Sequence, residues 1–439
     1  MQSISFIYMN VPAIVIILIL FVVLMGFFSQ DKFDYFPVAL IIGTLAVFFI
    51  LTIGNLTTIE ILGFINFRTL IFIFAMQIII YFATSNRILE YVSLKLIHVT
   101  KGNNRLFFYM ICLFTATLVA VIEDLTLSLI LMPLIYRTCQ ILRIPAGTYM
   151  MGMTICINIG AILTPISSLK NLIIGSQFGW GFEQYFFNMG PLFIVTLILT
   201  IFLIDRFILR KEEKPTEENK KVLIEMLDPS IVIENKKMFT TTVVIILGTF
   251  GFMFIGFDPA FVTIISAAIL LIVHSKKSDF SEVKSEITWK ILVIFAVLFI
   301  LSNSLAEFGF SGLISDVLIN LSHNNIYIAV FLTLGVSSLL SAFLAGTPVT
   351  IILLPIFSAI VADGFFPNPI IIAFISGVNL AGNFLPQGSA CDILTLTLAK
   401  KYKVSNLNYN RLLKNGAAFA TMHFCIVLGY TMLYTFLFS

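Results

Sequence analysis

Four charged side chains stand inside otherwise apolar stretches: Glu123, Asp124, Lys170 and Asp392. An ionised group at the centre of a membrane span costs at least about 2.5 kcal/mol, so such groups are kept there for binding or for moving charge. A carboxyl group whose surroundings alternate between water and a low dielectric can take up and release a proton. Lys170 sits beside Asn171, just beyond Pro165, where an ammonium could stand in for a bound cation and pair with Asp124 or Glu123. A structural salt bridge between packed helices is the plainer alternative. Asp392 follows Gly388-Ser389 and suits either a ligand or an N-terminal helix cap.

The segments that must carry these groups belong to a membrane. Of 439 residues 59% are apolar and only 11% charged, with mean hydropathy +1.04, whereas soluble domains carry about 25% charge. Runs such as 11–28 approach the ~20 residues that cross a bilayer and do not alternate as barrel strands would. A soluble globule, a disordered chain, an outer-membrane barrel and a secreted disulfide scaffold are therefore excluded. Segment 11–28 lacks preceding basic residues and a cleavage site, and is expected to remain as a helix. The five cysteines and four histidines form no metal-binding spacing, and no cofactor or nucleic-acid partner is expected. Trp180 and Trp289 suit membrane-interface anchors, and 90–105 suits an interfacial amphipathic helix.

Lysine and arginine orient the chain. Segments 106–122 and 125–139 are separated only by Glu123-Asp124, with basic residues before and after, so this pair is expected to enter and leave from the cytoplasm as a re-entrant hairpin, 106–139. Segments 326–344 and 348–362 have no basic flanks and should form an outward-opening hairpin, 326–362. With the N-terminus outside, 24 of 26 basic residues fall inside. The stretch from Asp205 to Lys237, with eight basic and eight acidic residues, reads as a cytoplasmic linker. The expected organisation is thus N-terminal scaffold helices 1–58, a first repeat 59–204, a linker 205–238 and a second repeat 239–439.

The halves echo one another. Residues 125–135 (LTLSLILMPLI) align with 347–357 (TPVTIILLPIF), and 157–173 (INIGAILTPISSLKNLI) with 378–394 (VNLAGNFLPQGSACDIL). At a spacing of 221 this sets Asn158 on Asn379, Pro165 on Pro386, Ser168 on Ser389 and Asn171 on Asp392. Because the hairpins open to opposite sides, the repeats are inverted, the design of many secondary transporters. Breaks are expected at the two tips and at 160–168 and 381–389, inside broken helices 147–178 and 369–399. Irregular backbone in a membrane is tolerated only where protein or a water-filled cavity covers it.

A polar tip, an apolar arm ending in Pro, and an Asn-Ile-Gly segment with a Thr-Pro break, repeated in inverted form, resemble the ion transporter superfamily. Within it the pattern resembles the arsenite-efflux permeases and NhaD-type sodium/proton antiporters, from about residue 60 to 438. The resemblance implies an all-α polytopic protein with two re-entrant hairpins, elevator-type movement and often a homodimer. Carried onto this chain, it implies a binding site of Glu123, Asp124, Thr126, Asn158, Gly160, Thr164, Ser168, Lys170, Asn171, Gly346, Thr347, Thr350, Asn379, Gly382, Asn383, Ser389 and Asp392. The Ser-Asn-Thr tips of sodium-coupled carboxylate relatives are absent.

The expected function is secondary, proton-coupled transport of a small inorganic ion or metalloid of the arsenite or antimonite type across the plasma membrane. Sodium/proton antiport and transport of a carboxylate or other anion are the alternatives. A rival from another class is an intramembrane serine protease built on Gly309-Phe310-Ser311-Gly312 and His423.

Overall fold

The computed structural model describes residues 10–28, 35–120, 122, 124–226, 233–275, 280–344 and 346–438. Helices supply all the regular structure among them, as a chain without water around it requires: only intra-segment hydrogen bonding satisfies the backbone there. The first half runs α1 (Val11–Phe28), α2 (Tyr35–Thr52), α3 (Thr58–Gly63), α4 (Phe67–Ser85), α5 (Ile88–Val99), α6 (Asn104–Val119), α7 (Asp124–Leu142), α8 (Gly147–Gly160), α9 (Leu169–Phe178), α10 (Phe182–Phe207) and α11 (Glu217–Met226). The second runs α12 (Lys236–Phe254), α13 (Pro259–His274), α14 (Phe280–Glu286), α15 (Trp289–Glu307), α16 (Phe310–Ser322), α17 (Ile326–Phe343), α18 (Gly346–Ala362), α19 (Pro367–Leu380), α20 (Ala390–Lys401) and α21 (Tyr409–Phe438).

The hairpins are α6–α7 and α17–α18, and the broken helices are α8/α9 and α19/α20, with breaks where the Gly, Pro and Ser residues fall. Side-chain caps set the starts: Asn66 for α4, Asn103 for α6 and Ser168 for α9 each accept a backbone N–H of the first turn. Lys101 and Gly102, both at positive φ, turn the chain between α5 and α6.

Two hydrophobic cores form, and neither follows the division into halves. One joins α6–α8 and α10 to α17–α21; the other joins α1, α2 and α4 to α12, α13 and α15. Helices α9 and α18 contribute to both: Ile174 and Val349 to the first, Leu172, Ile173 and Ile351 to the second. The boundary between the two packed bodies therefore runs along the helices that bear Lys170 and the second tip.

Three expectations need correction. Pro133 and Pro355 do not end their arms, since α7 and α18 run through them; the proline ring keeps a helical φ and forfeits only one hydrogen bond. Gly346 to Thr350 is helix rather than open tip, and the Thr350 hydroxyl donates to the Gly346 carbonyl at 2.9 Å. Trp180 is buried edge-on against Tyr185 rather than exposed as a lipid-facing anchor would be, whereas Trp289 is half exposed.

Candidate binding site at the two helix breaks

The two repeats exchange partners at their breaks. The first arm of each hairpin packs on the first half of its own broken helix, α6 on α8 and α17 on α19. The second arm crosses over, α7 onto α20 and α18 onto α9. Close approach explains the small residues: a Cβ at Gly160 would collide with the Ala116 carbonyl oxygen, and one at Gly388 would stand 2.7 Å from the Ser341 carbonyl oxygen. Thr164 ties the first break to the first tip by donating to the Ala120 carbonyl at 2.6 Å.

At the centre, each half-helix asparagine receives a serine from the opposite repeat. Ser389 Oγ donates to Asn158 Oδ1 at 3.1 Å, and Ser168 Oγ to Asn379 Oδ1 at 3.4 Å. Asn158 Nδ2 donates to Asn383 Oδ1 at 2.8 Å, which leaves Asn383 Nδ2 buried without a partner among the described residues. Asn379 Nδ2 donates to Asn171 Oδ1 at 2.7 Å. The Asn171 amide holds the first break closed by donating to the Ala161 and Thr164 carbonyls, at 2.5 and 2.9 Å, and to Ser167 Oγ at 3.1 Å.

The matching Asp392 has a different task. It lies in the first turn of α20, 1% exposed, and accepts from Thr154 Oγ1 at 2.6 Å; its hydrogen bond is to α8 and not a cap. Lys170 donates from Nζ to the Val378 carbonyl at 3.3 Å and lies against Gly346 of α18. Asp124 and Lys170 act on each other electrostatically, and both act on the buried Cys391. One neighbourhood thus holds an ammonium, two carboxyl groups, a donor without a partner and several backbone carbonyls. Such a set can bind an oxygen-rich solute and move a proton.

Of the residues singled out by sequence, Asp124, Asn158, Gly160, Thr164, Ser168, Lys170, Asn171, Gly346, Asn379, Gly382, Asn383, Ser389 and Asp392 meet at these breaks. Gly382 lies in the turn Ala381–Asn383, packed against Ser389. Thr347 is half-buried at the start of α18, and Thr350 points its hydroxyl back into its own helix. Glu123 and the Thr126 side chain lie outside the described residues. Thr154 was missed, although it stands four residues before Asn158 and therefore on the same helix face. His423 shares a hydrogen bond with Thr200 at 2.8 Å, joining α21 to α10, so it is engaged away from Ser311 of α16 and the protease reading has no assembled pair.

Residues 7–378 match the family described as citrate transporter. A "46 kDa membrane protein" of Mycobacterium leprae is 23% identical over 76% of this chain and 79% of its own length. An "Arsenical pump membrane protein" of Escherichia coli is 25% identical over 68% of this chain and 72% of its own. The crystal structure of the Alcanivorax borkumensis YdaH transporter superposes with a TM-score of 0.61, covering 96% of this chain and 97% of that one at 12% identity.

Proposed function

Because the chain belongs to the citrate transporter family, a group of multi-pass membrane transporters, we propose that it is a proton-coupled secondary carrier of a small oxygen-bearing inorganic solute of the arsenite or antimonite type. The observation that carries this reading is the reciprocal Asn–Ser exchange between the two breaks, with Lys170 half-buried and Asp392 buried beside it. Asp392 takes the coupling proton, and Lys170 supplies the fixed positive charge that a bound sodium would otherwise provide. Transport proceeds by elevator-type alternating access: the body containing both broken helices slides against the body of α1, α2, α4, α12, α13 and α15, along the α9–α18 boundary. The orientation that goes with it has the N-terminus outside, the linker 205–238 in the cytoplasm and the plasma membrane as the site of action, with a homodimer as the working assembly.

A second reading, transport of a carboxylate anion, draws support from the Lys170 ammonium and from the description of the family. Purified protein in liposomes with an internal pH-sensitive dye separates the two. Arsenite or antimonite should collapse an imposed proton gradient. A response to citrate alone replaces the first reading with the second, a response to sodium alone makes the protein a sodium/proton antiporter, and no response to any solute removes proton coupling altogether.

A further inference from the structure

Two cavities flank the first break, one toward each end of α4. The one at the Arg68 end, about 430 Å³, is lined by Arg68, Thr69 and Phe72 of α4 and by Pro165 and Leu172. The other, about 460 Å³, follows one face of α4 from Phe72 to Ser85 and meets the break at Ile166, Ser168 and Leu169. From Arg68 to Ser85 this face runs about 26 Å at the helical rise per residue, close to the ~30 Å of a hydrocarbon core. Arg68 at one extreme and Thr84 and Ser85 at the other are exposed. Among the described residues Phe72 is the one that lines both cavities. It is buried in the same apolar core as Ile166 and Leu172, which line one cavity each. An ordinary core phenylalanine has packed protein on every side, whereas this one has space wide enough for water on two.

We infer that Phe72, together with Ile166 and Leu172, is the seal of the permeation path, the thin apolar layer that keeps the two cavities from joining into one. An apolar constriction sheds water, and without water neither a proton nor a hydrated ion crosses it. Sliding of the break past Phe72 carries Ser168, which bonds Asn379 and lines the second cavity, toward the first while the two stay separate. The size of the side chain at position 72 therefore decides whether movement is coupled or leaky. This role rests on the proposed carrier function only in calling the sealed space a permeation path.

The test reads proton leak with no solute added. Purified full-length protein is placed in liposomes that hold a pH-sensitive dye, and potassium with valinomycin carries the balancing charge. The wild-type protein should keep an imposed pH gradient, and Phe72→Ala should lose it. Phe82→Ala is the control, since Phe82 is buried on the same helix and stacks on His274 but lines neither cavity; its loss should leave the gradient intact. Phe72→Cys, with the exposed Cys425 replaced by Ser, separates seal from fold within one sample, because the other four cysteines are buried. It should leak, benzyl methanethiosulfonate should stop the leak by setting a ring back on the thiol, and dithiothreitol should restart it. Where Phe72→Ala fails to reconstitute, Phe72→Cys decides. A gradient held by Phe72→Cys, an equal leak from Phe82→Ala, or a leak that the benzyl group leaves unchanged would overturn the seal. A leak closed by the benzyl group in a protein whose wild type moves no solute defeats the carrier reading alone. Solute-driven transport by the wild type with tight Phe72 variants defeats the seal alone.

Discussion

Asn171 and Asp392 occupy matching positions in the two repeats, yet they are spent differently. The two amide hydrogens of Asn171 are shared among three acceptors within its own break, while the carboxyl group accepts from Thr154 across the repeat boundary. Asn171 therefore acts as a structural staple, and in the proposed mechanism Asp392 is the member that exchanges a proton. Asp392→Asn keeps an acceptor for Thr154 and nearly the same volume, so the fold should survive while the solute-driven dye response in liposomes vanishes; an undiminished response would assign the proton elsewhere. Thr154→Val strips Asp392 of its donor and should cost about 1 to 3 kcal/mol, measured by thermal melting in detergent, with Thr154→Ser restoring most of it. Lys170→Met should likewise silence transport, and normal turnover with an unchanged pH profile would reduce Lys170 to a structural part. The charged members of this group were legible in the sequence because the membrane makes charge expensive. Thr154 was not, since a hydroxyl in a membrane helix is cheap and bonds its own backbone elsewhere in this chain, as Thr350 does.

The all-helical pattern of hairpins and broken helices was legible in the sequence, since Gly, Pro and Ser mark helix ends by backbone geometry and that information is local. What the sequence could not display was the crossing of α7 onto α20 and of α18 onto α9, which depends on packing between segments from opposite halves of the chain. Nor did it show that helices continue through Pro133 and Pro355, because a proline's effect depends on which neighbours cover the carbonyl it frees. The crossing makes a prediction about glycine. Gly388→Ala sets a methyl group against the carbonyls of Ser341 and Ala342, which are backbone and cannot swing aside, and should destabilise the fold by about 1 to 3 kcal/mol. Gly335→Ala in α17 meets nothing within 4 Å and should not lower the melting temperature.

On the scale of the molecule, the two cores cut across the two halves, so the unit proposed to move and the unit that repeats are different divisions of the chain. Asn66, which caps α4, donates to Ser176 of α9 at 3.2 Å, a contact across the proposed sliding boundary. With Cys425 replaced by Ser, cysteines at Asn66 and Ser176 should form a disulfide under oxidation that stops transport, and reduction should restore it; full activity in the oxidised state would mean that this boundary does not slide.

The crossed packing also has a consequence for synthesis. α7 ends at Leu142, but the helix it rests on ends at Lys401. A ribosome adding roughly 5 to 20 residues per second takes about 13 to 50 seconds to cover that interval. During that time Asp124 and Lys170 lack the second-half helices that surround them, an expensive arrangement for ionised groups in a membrane. The first half, expressed alone, should therefore be less stable in a membrane than the full chain, which pulse-chase degradation of the two would check.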